Sequence, residues 1–172
     1  PKGYPIITVP DTKVALLDLM RYWRQCVQPK VVGVSGSSGR RATMILMHQL
    51  LQSQFKTHLA FMDNFGWFGC VKEVFAMPKN TDVLVFEVGA VERGDITRIA
   101  GALDPDLAVL TQTRHPLPSP ERDALTASLY CELLETLSDF QSRRIFRSQD
   151  HKRHREISAC PALKPQRWSP EE

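Results

Sequence analysis

Residues 30–41 read KVVGVSGSSGRR, and this stretch decides the fold of the chain. Its first five residues, 30–34, are rich in β-branched valine, which favours a buried strand. Serine and glycine fill positions 35–39, a composition that favours a turn. Residues 40–53 then space their apolar side chains as a helix does. The stretch therefore predicts a strand, a loop and a helix in direct succession.

Apolar runs and amphipathic segments alternate along the rest of the chain. The apolar runs predict further short strands, at 5–9, 58–62, 82–88 and 107–111. The amphipathic segments predict helices, at 12–26 behind the N-cap residue Asp11 and at 67–77, 96–103 and 120–140. Strands that are apolar throughout and separated by helices form parallel sheets through right-handed crossovers. We therefore predict an α/β domain, with a parallel sheet covered by helices on both faces. The predicted core is Val31, Val32, Val34, Leu84, Val85, Phe86, Ala108 and Val109.

The loop at 35–41 is the first candidate site. Ligands of open parallel sheets bind beyond the carboxyl ends of the strands. Small residues there let backbone N–H groups approach phosphate oxygens, and the N-terminus of the next helix adds its positive end. The candidate phosphate-binding residues are Gly36, Ser37, Ser38, Gly39, Arg40 and Arg41. The same composition is also typical of a plain flexible turn, so the loop alone leaves both interpretations open.

Length and composition restrict the class of protein. A chain of 172 residues with 42% hydrophobic content fits one ordinary globular domain. It has no apolar run of about 18 residues and no signal-peptide pattern, so we expect neither a membrane-spanning nor a secreted protein. The four cysteines, at 26, 70, 131 and 160, are scattered without the spacing of a zinc site. We expect reduced thiols in an intracellular compartment, either the cytoplasm or an organelle matrix or stroma after removal of a targeting segment.

Positive charge collects at the end of the chain. The net charge is +3, but residues 141–172 carry eight Lys/Arg against four Asp/Glu. Prolines in the last part of this segment predict an extended chain. We predict that this basic tail binds other protein subunits, with RNA as an alternative partner and a solvated end as the bland interpretation. The candidate partner-binding residues are Arg143, Arg144, Arg147, Lys152, Arg153, Arg155 and Trp168. The predicted organisation is an N-terminal strand and helix at 1–29, the domain at 30–140 and the tail at 141–172.

Three stretches together resemble one known family. They are GVSGSSG at 33–39, TDVLVFEVGAVERGDITRIAGALDPDLAVLTQT at 81–113 and ASLYCELLETL at 127–137. In this order and spacing they resemble the central, ATP-binding domain of the Mur ligases, most closely the type that adds D-alanyl-D-alanine to a UDP-muramoyl tripeptide. The resemblance covers about residues 5–137, and its most specific part is 87–111. It implies a P-loop NTPase-like fold, and we expect the chain to lack the family's N-terminal and C-terminal domains.

The resemblance also implies a reaction and a set of positions that carry it. In the family, ATP phosphorylates a substrate carboxylate, and an amine then attacks the acyl phosphate to form an amide. The family's phosphate-loop lysine falls on Arg40, and its magnesium-binding threonine falls on Arg41. Glu87 matches the acidic residue that helps to hold magnesium, with an ordinary strand-end carboxylate as the alternative. The family's histidine falls on Leu117, and its carbamylated lysine falls near Tyr130.

These departures imply a kept scaffold with altered chemistry. Arginine is not a conservative replacement for a phosphate-binding lysine, and Arg41 has no hydroxyl group to bind a metal. We predict a degenerate, non-catalytic domain that acts as a structural or interaction subunit of a larger assembly and needs no cofactor. The alternative is the ATP-binding domain of a working ATP-dependent amide ligase, with ATP and Mg²⁺ as cofactors. A third hypothesis is a nucleic-acid-associated module that uses Arg40, Arg41 and the basic tail.

Overall fold

The structure is a computed structural model that describes residues 3, 5–36, 38–62, 67–89, 94–111 and 144–147. The helices in these ranges are α1 (Thr12–Val27), α2 (Arg40–Leu51), α3 (Trp67–Phe75) and α4 (Asp95–Leu103). The strands are β1 (Lys30–Ser35), β2 (Thr57–Ala60), β3 (Val83–Glu87), β4 (Leu107–Leu110) and β5 (Arg144–Arg147). None of the described helices is both long and apolar enough to cross a bilayer.

The described strands form one parallel sheet in the order β2-β3-β1-β4-β5. The central strand β1 pairs with β3, where Val32 lies opposite Val85, and with β4, where Gly33 lies opposite Ala108. The prediction of an α/β domain with a parallel sheet is confirmed. Because β1 lies between β3 and β4, the carboxyl ends of these three strands meet beside the candidate loop.

Helices cover the sheet on both faces, as predicted. Side chains alternate along a strand, so Val32 and Val34 of β1 point to one face, where Met44 of α2 packs against them. Val31 points to the other face and joins Met20 of α1 in a larger cluster, to which α3 and α4 also contribute. The sheet therefore has one layer of helices on each side, and α2 alone of the described helices covers the first face.

The predicted core is buried apart from one residue. Seven of its eight members are buried, whereas Val109 is only half-buried. Val109 lies on the face of the sheet that α2 covers, but α2 packs mainly over β1, β2 and β3. The side chain of Val109, on β4, is therefore less shielded by α2 than those on β1 and β3, and the prediction that it is buried is wrong.

The N-terminal segment confirms one prediction and corrects another. α1 follows Asp11 as predicted, and the Asp11 carboxylate accepts a hydrogen bond from the backbone N–H of Lys13 at 2.7 Å. The predicted strand at 5–9 is wrong, because this segment has no regular structure and Ile6 and Ile7 are exposed. A β-branched run becomes a strand only where a neighbouring strand pairs with its backbone, and none of the described strands does so.

The sheet and its helices reach beyond the predicted limits of 30–140. α1, which we predicted as a lead-in to the domain, packs against α3 and α4. β5 lies within the predicted basic tail, yet it pairs parallel with β4, where Ile145 lies opposite Ala108. The predicted helix at 120–140 and the rest of the predicted tail lie outside the described residues.

Asp106 joins α1 to β1 at the start of β4. Its Oδ2 accepts a hydrogen bond from the backbone N–H of Val31 at 2.9 Å, and its Oδ1 accepts one from Nζ of Lys30 at 3.0 Å. Nη2 of Arg24 lies 3.9 Å from Oδ2. Partial burial raises the pKa of the Asp106 carboxyl, but the N–H of Val31 and the two cations outweigh burial and hold this pKa below its ordinary value.

Replacing Asp106 by asparagine is expected to lower the free energy of unfolding by about 1 kcal/mol at about pH 7, because a charge-assisted bond and a half-exposed ion pair are lost. Since the folded-state pKa is depressed, this stabilisation is complete above the ordinary aspartate pKa and is lost as the pH falls through the folded-state value. Urea denaturation at about pH 7 and about pH 2 checks the prediction. Asp18→Asn, in an exposed pair with Arg21, is the control and should have little effect. An Asp106→Asn effect of equal size at both pH values would contradict it.

Candidate functional site

The loop between β1 and α2 has the backbone that its glycines predict. Gly36 and Gly39 have φ angles of 148° and 82°, in the region that favours glycine over residues with a Cβ. Gly39 is the N-cap of α2, and it has no side chain to accept hydrogen bonds from the first turn of the helix. The loop therefore lies at the carboxyl end of β1 and leads directly into a helix N-terminus, as predicted.

Thr111, which follows β4, holds this loop from the side. Its Oγ1 lies 2.7 Å from the carbonyl oxygen of Ser38 and 3.1 Å from that of Ser35. A hydroxyl group has one proton to donate, and the shorter distance favours the bond to Ser38. The backbone N–H of Thr111 donates to Ser35 at 2.8 Å. The loop is thus fixed to the neighbouring strand at two points.

Glu87 ends β3, and its side chain is only 3% exposed. Oε1 accepts a hydrogen bond from Nε of Arg40 at 2.8 Å. Oε2 accepts one from the backbone N–H of Met62 at 3.1 Å and lies 3.4 Å from Nε of Arg41. Both oxygens of this buried carboxylate are therefore bonded to donors of the protein itself, which is what a buried charge requires.

The two arginines contribute unequally. The side chain of Arg40 is 31% exposed, and its Nη1 also donates to the carbonyl oxygen of Gly36. The side chain of Arg41 is 63% exposed, donates to the carbonyl oxygen of Met62 and lies with its Cζ 5.9 Å from the ring centroid of Phe61. Arg40 thus makes the shorter and less exposed ion pair with Glu87, and Arg41 makes the longer and more exposed one. We refer to Arg40, Arg41 and Glu87 as the arginine–glutamate cluster.

The donor set of this cluster does not fit a magnesium ion. Mg²⁺ takes oxygen ligands in a near-octahedral arrangement, and the cluster offers one carboxylate with a guanidinium group on each oxygen. In the described part of the chain, no group of three or more His, Cys, Asp or Glu side chains could hold a metal ion. Two cations beside one anion also leave the cluster net positive, which repels a divalent cation. In this arrangement the two guanidinium groups balance the charge of Glu87.

Cys70 of α3 is the nearby thiol that nucleophilic chemistry would require, but it is unsuited to that role. Burial, together with the charges of Glu87 and Glu73, raises the pKa of the Cys70 thiol to about 12. The thiolate is the reactive form of cysteine, so this thiol stays protonated and unreactive at neutral pH. Cys70 is therefore a core residue.

The structure brings together most of the residues predicted for the phosphate and metal sites. These residues are Gly36, Ser38, Gly39, Arg40, Arg41 and Glu87. Ser37, Leu117 and Tyr130 lie outside the described residues. So do five predicted partner-binding residues, Arg143, Lys152, Arg153, Arg155 and Trp168. Arg144 and Arg147 are the ends of β5.

Sequence reasoning missed two residues of the site, Met62 and Thr111. Met62 acts through its backbone N–H and carbonyl group, and Thr111 acts through a hydroxyl group. Neither contribution has a residue pattern of its own. The signal that could have identified both is position, because each is the last residue of a predicted strand, 58–62 or 107–111, and parallel strands bring their carboxyl ends to one edge of the sheet.

Sequence comparison finds bacterial ligases that match part of this chain. Over 111 residues it is 33% identical to the UDP-N-acetylmuramoyl-tripeptide--D-alanyl-D-alanine ligase of Bacillus subtilis, which covers 64% of this chain and 24% of that enzyme. Over 128 residues it is 27% identical to the ligase of the same name from Synechocystis, covering 73% and 28%. The chain thus spans about a quarter of the length of these relatives. No family sequence profile matches it.

Solved structures share its fold. The MurF ligase of Thermotoga maritima, in complex with ADP, superposes with a TM-score of 0.75 at 21% identity and covers 92% of this chain and 37% of that one. MurF from Acinetobacter baumannii gives a TM-score of 0.77 at 21% identity, covering 95% and 38%. At this identity the likeness concerns the fold, and it agrees with the sequence matches.

Proposed function

This chain is a Mur ligase homologue with the fold of a Mur ligase domain, and from that premise we propose that it is a non-catalytic domain serving as a structural or interaction subunit of a larger assembly. The observation that carries the proposal is the arginine–glutamate cluster. The acidic residue that the family resemblance assigns to magnesium is bonded on both oxygens to arginines of this chain. In this proposal its charge is paired with the arginines of the domain instead of with a metal.

Electrostatics gives the size of the obstacle to Mg²⁺. Two unit charges 4 Å apart interact by about 1 kcal/mol in water and about 4 kcal/mol near a protein surface. A divalent ion at Glu87 would be repelled by two guanidinium groups. Because the ion carries two charges, each of these repulsions is twice that between two unit charges. It would also have to displace Arg40 from a 2.8 Å bond to a carboxylate that is almost fully buried. Weak binding of the metal follows.

The two replacements also change what the loop can offer to a nucleotide. A lysine presents a compact ammonium group to phosphate, whereas the planar fork of Arg40 lies against Glu87 and Gly36. A threonine at position 41 would supply a hydroxyl ligand for the ion, whereas Arg41 supplies a further cation. The proposal therefore predicts the loss of both the metal and the phosphate contacts on which the family's chemistry depends.

The second candidate is the ATP-binding domain of a working amide ligase. Two features favour it: the glycines of the loop keep their positive φ angles, and Glu87 stays at the end of β3. One of the structural neighbours holds ADP. In this case Glu87 would release the arginines when Mg-ATP arrives. The two candidates thus differ in whether the cluster opens for nucleotide.

Titration calorimetry of the chain with Mg-ATP separates the two candidates. We expect no saturable binding up to a ligand concentration of about 1 mM, for the reasons given above. ATP with excess chelator in place of Mg²⁺ is the matched control and should give the same flat titration. A dissociation constant of about 10 µM or below that Glu87→Ala abolishes would overturn the proposal in favour of the ligase.

A further inference from the structure

The outward surface of α2 is apolar. Ile45, Leu46 and Leu50 are 46%, 59% and 76% exposed, while Met44 on the opposite side of the helix is fully buried in the core. Ala42, Leu46 and Leu50 follow one another at intervals of four residues, which places them in one row along the helix, with Ile45 beside it. α2 therefore has apolar side chains on the side that faces away from the sheet as well as on the side that packs on it.

This surface also lacks the charges that a solvent-facing helix normally carries. From Ala42 to Phe55 the chain has no Lys, Arg, Asp or Glu. Gln49, another exposed residue of α2, is polar but uncharged. An uncharged row of isoleucine and leucine on an outer helix is typical of a contact surface. The row spans residues 42–50, about two turns of α2, which fits another helix better than a single inserted side chain.

Charge at the borders of this row indicates what kind of helix would fit. The chain has no Asp or Glu from residue 19 to residue 62, whereas the exposed residue Arg41 lies in the first turn of α2 and the exposed residue Lys56 follows the last residue of that helix, Leu51, by five positions. The neighbouring carboxylates are already engaged, since Glu87 pairs with the arginines and Asp82 accepts a hydrogen bond from the backbone N–H of Lys56. The row itself is apolar, and the nearest charged residues before and after it in the sequence, Arg41 and Lys56, are both positive.

We propose that the outward row of α2, formed by Ala42, Ile45, Leu46 and Leu50, docks an amphipathic helix of a protein partner whose apolar stripe is flanked by Asp and Glu. The proposal rests on the interaction role proposed above and names the surface that serves it. Apolar side chains supply the buried area, and the carboxylates of the partner meet Arg41 and Lys56. A second copy of this chain is a poorer occupant, because its own Arg41 and Lys56 would face the same positive residues of the first copy and repel them.

A synthetic peptide tests this chemistry directly. The probe is a labelled helix of about 18 residues with leucines at every third and fourth position and glutamates on both sides of the leucine stripe. In fluorescence anisotropy we expect it to bind the chain with a dissociation constant of about 1–100 µM. The same peptide with lysines in place of the glutamates should bind at least about tenfold more weakly.

A matched pair of variants locates the binding surface. Leu46→Glu should weaken binding of the glutamate peptide at least about tenfold, because it removes a central apolar contact and repels the partner's carboxylates. Leu19→Glu makes the same change at a leucine of similar exposure, 53% against 59%, on α1 at the other face of the sheet. It should leave the affinity within about twofold. Leu50→Glu provides a second variant on the row, and thermal melting confirms that each variant is folded.

Several results would overturn the inference. These are no binding of the glutamate peptide, equal binding of the two peptides, or equal loss in Leu46→Glu and Leu19→Glu. Self-association in sedimentation equilibrium that Leu46→Glu abolishes would make the row a contact between copies of this chain. Binding to phosphatidylserine vesicles that Leu46→Glu abolishes would make it a membrane contact. The assay contains no nucleotide, so its failure leaves the calorimetric test untouched, and Mg-ATP binding would overturn the proposed function while leaving the peptide result intact.

Discussion

Replacement of Arg40 by methionine is expected to lower the free energy of unfolding by about 2–3 kcal/mol, because it leaves a buried carboxylate without its close partner. Glu87 is 3% exposed, and Arg40 provides its shortest bond at 2.8 Å. The loss of a partner from a fully buried pair costs about 3–5 kcal/mol. The expected loss is smaller here because Arg40 itself is partly exposed to solvent. Methionine keeps much of the length of the side chain, so the change reports the charge and the hydrogen bonds.

The neighbouring arginine supplies the control for this prediction. Arg41 is 63% exposed and lies 3.4 Å from Glu87, so Arg41→Met should cost less than about 1 kcal/mol, the usual range for an exposed pair. Urea denaturation of the two variants and the wild type measures both values. Equal effects of the two changes, or no effect of Arg40→Met, would show that Glu87 does not depend on Arg40 and would remove the basis of the arginine–glutamate cluster.

Local patterns in the sequence were sufficient for most of the fold. The valines at 31, 32 and 34 lie in the central strand, and the glycine–serine run lies at its carboxyl end, because both follow from short-range preferences of the backbone. Asp11 begins α1 for the same reason. The parallel arrangement followed from the alternation of apolar strands with helices, which leaves few other topologies.

The wrong or missing elements depend on pairing between distant segments. Ile6 and Ile7 have the residue type of a strand but no described strand beside them. The reverse holds for β5, whose sequence RIFR looks like part of a solvated basic tail, yet it pairs with β4 and is the last of the described strands on that side of the sheet. An edge strand needs only one neighbour, so a short segment of mixed character can form one where the sheet offers an open side.

The location of the candidate site could be predicted from the sequence, but the contacts between its side chains could not. The order of the strands places the loop and Glu87 at one edge, and the sequence alone indicated both. The pairing of Glu87 with Arg40 and Arg41 depends on the distance between the N-terminus of α2 and the end of β3, which residue patterns do not contain. The family resemblance implied that arginines stand at 40 and 41 where the family has lysine and threonine, and the structure shows which side chain those arginines contact.

The second large effect is expected from reversing the two replacements together. In the double variant Arg40→Lys, Arg41→Thr, an ammonium group replaces the guanidinium fork at position 40, and a hydroxyl group replaces a cation at position 41. Oε2 of Glu87 then keeps its bond from Met62 but loses the guanidinium of Arg41. A lysine at position 40 still offers a positive charge to Glu87, so the domain should remain folded. We expect Mg-ATP to bind this variant at least about 100-fold more tightly than the wild type, a difference of about 2.8 kcal/mol.

Parallel calorimetric titrations of Mg-ATP into the wild type and the double variant therefore test the central claim, that Arg40 and Arg41 have taken the place of the metal ion at Glu87. The account predicts a flat titration for the wild type and saturable binding at about 10 µM for the double variant, lost again when Glu87→Gln is added. Two results would contradict it: a wild type that binds as tightly as the double variant, or a folded double variant that gains no affinity.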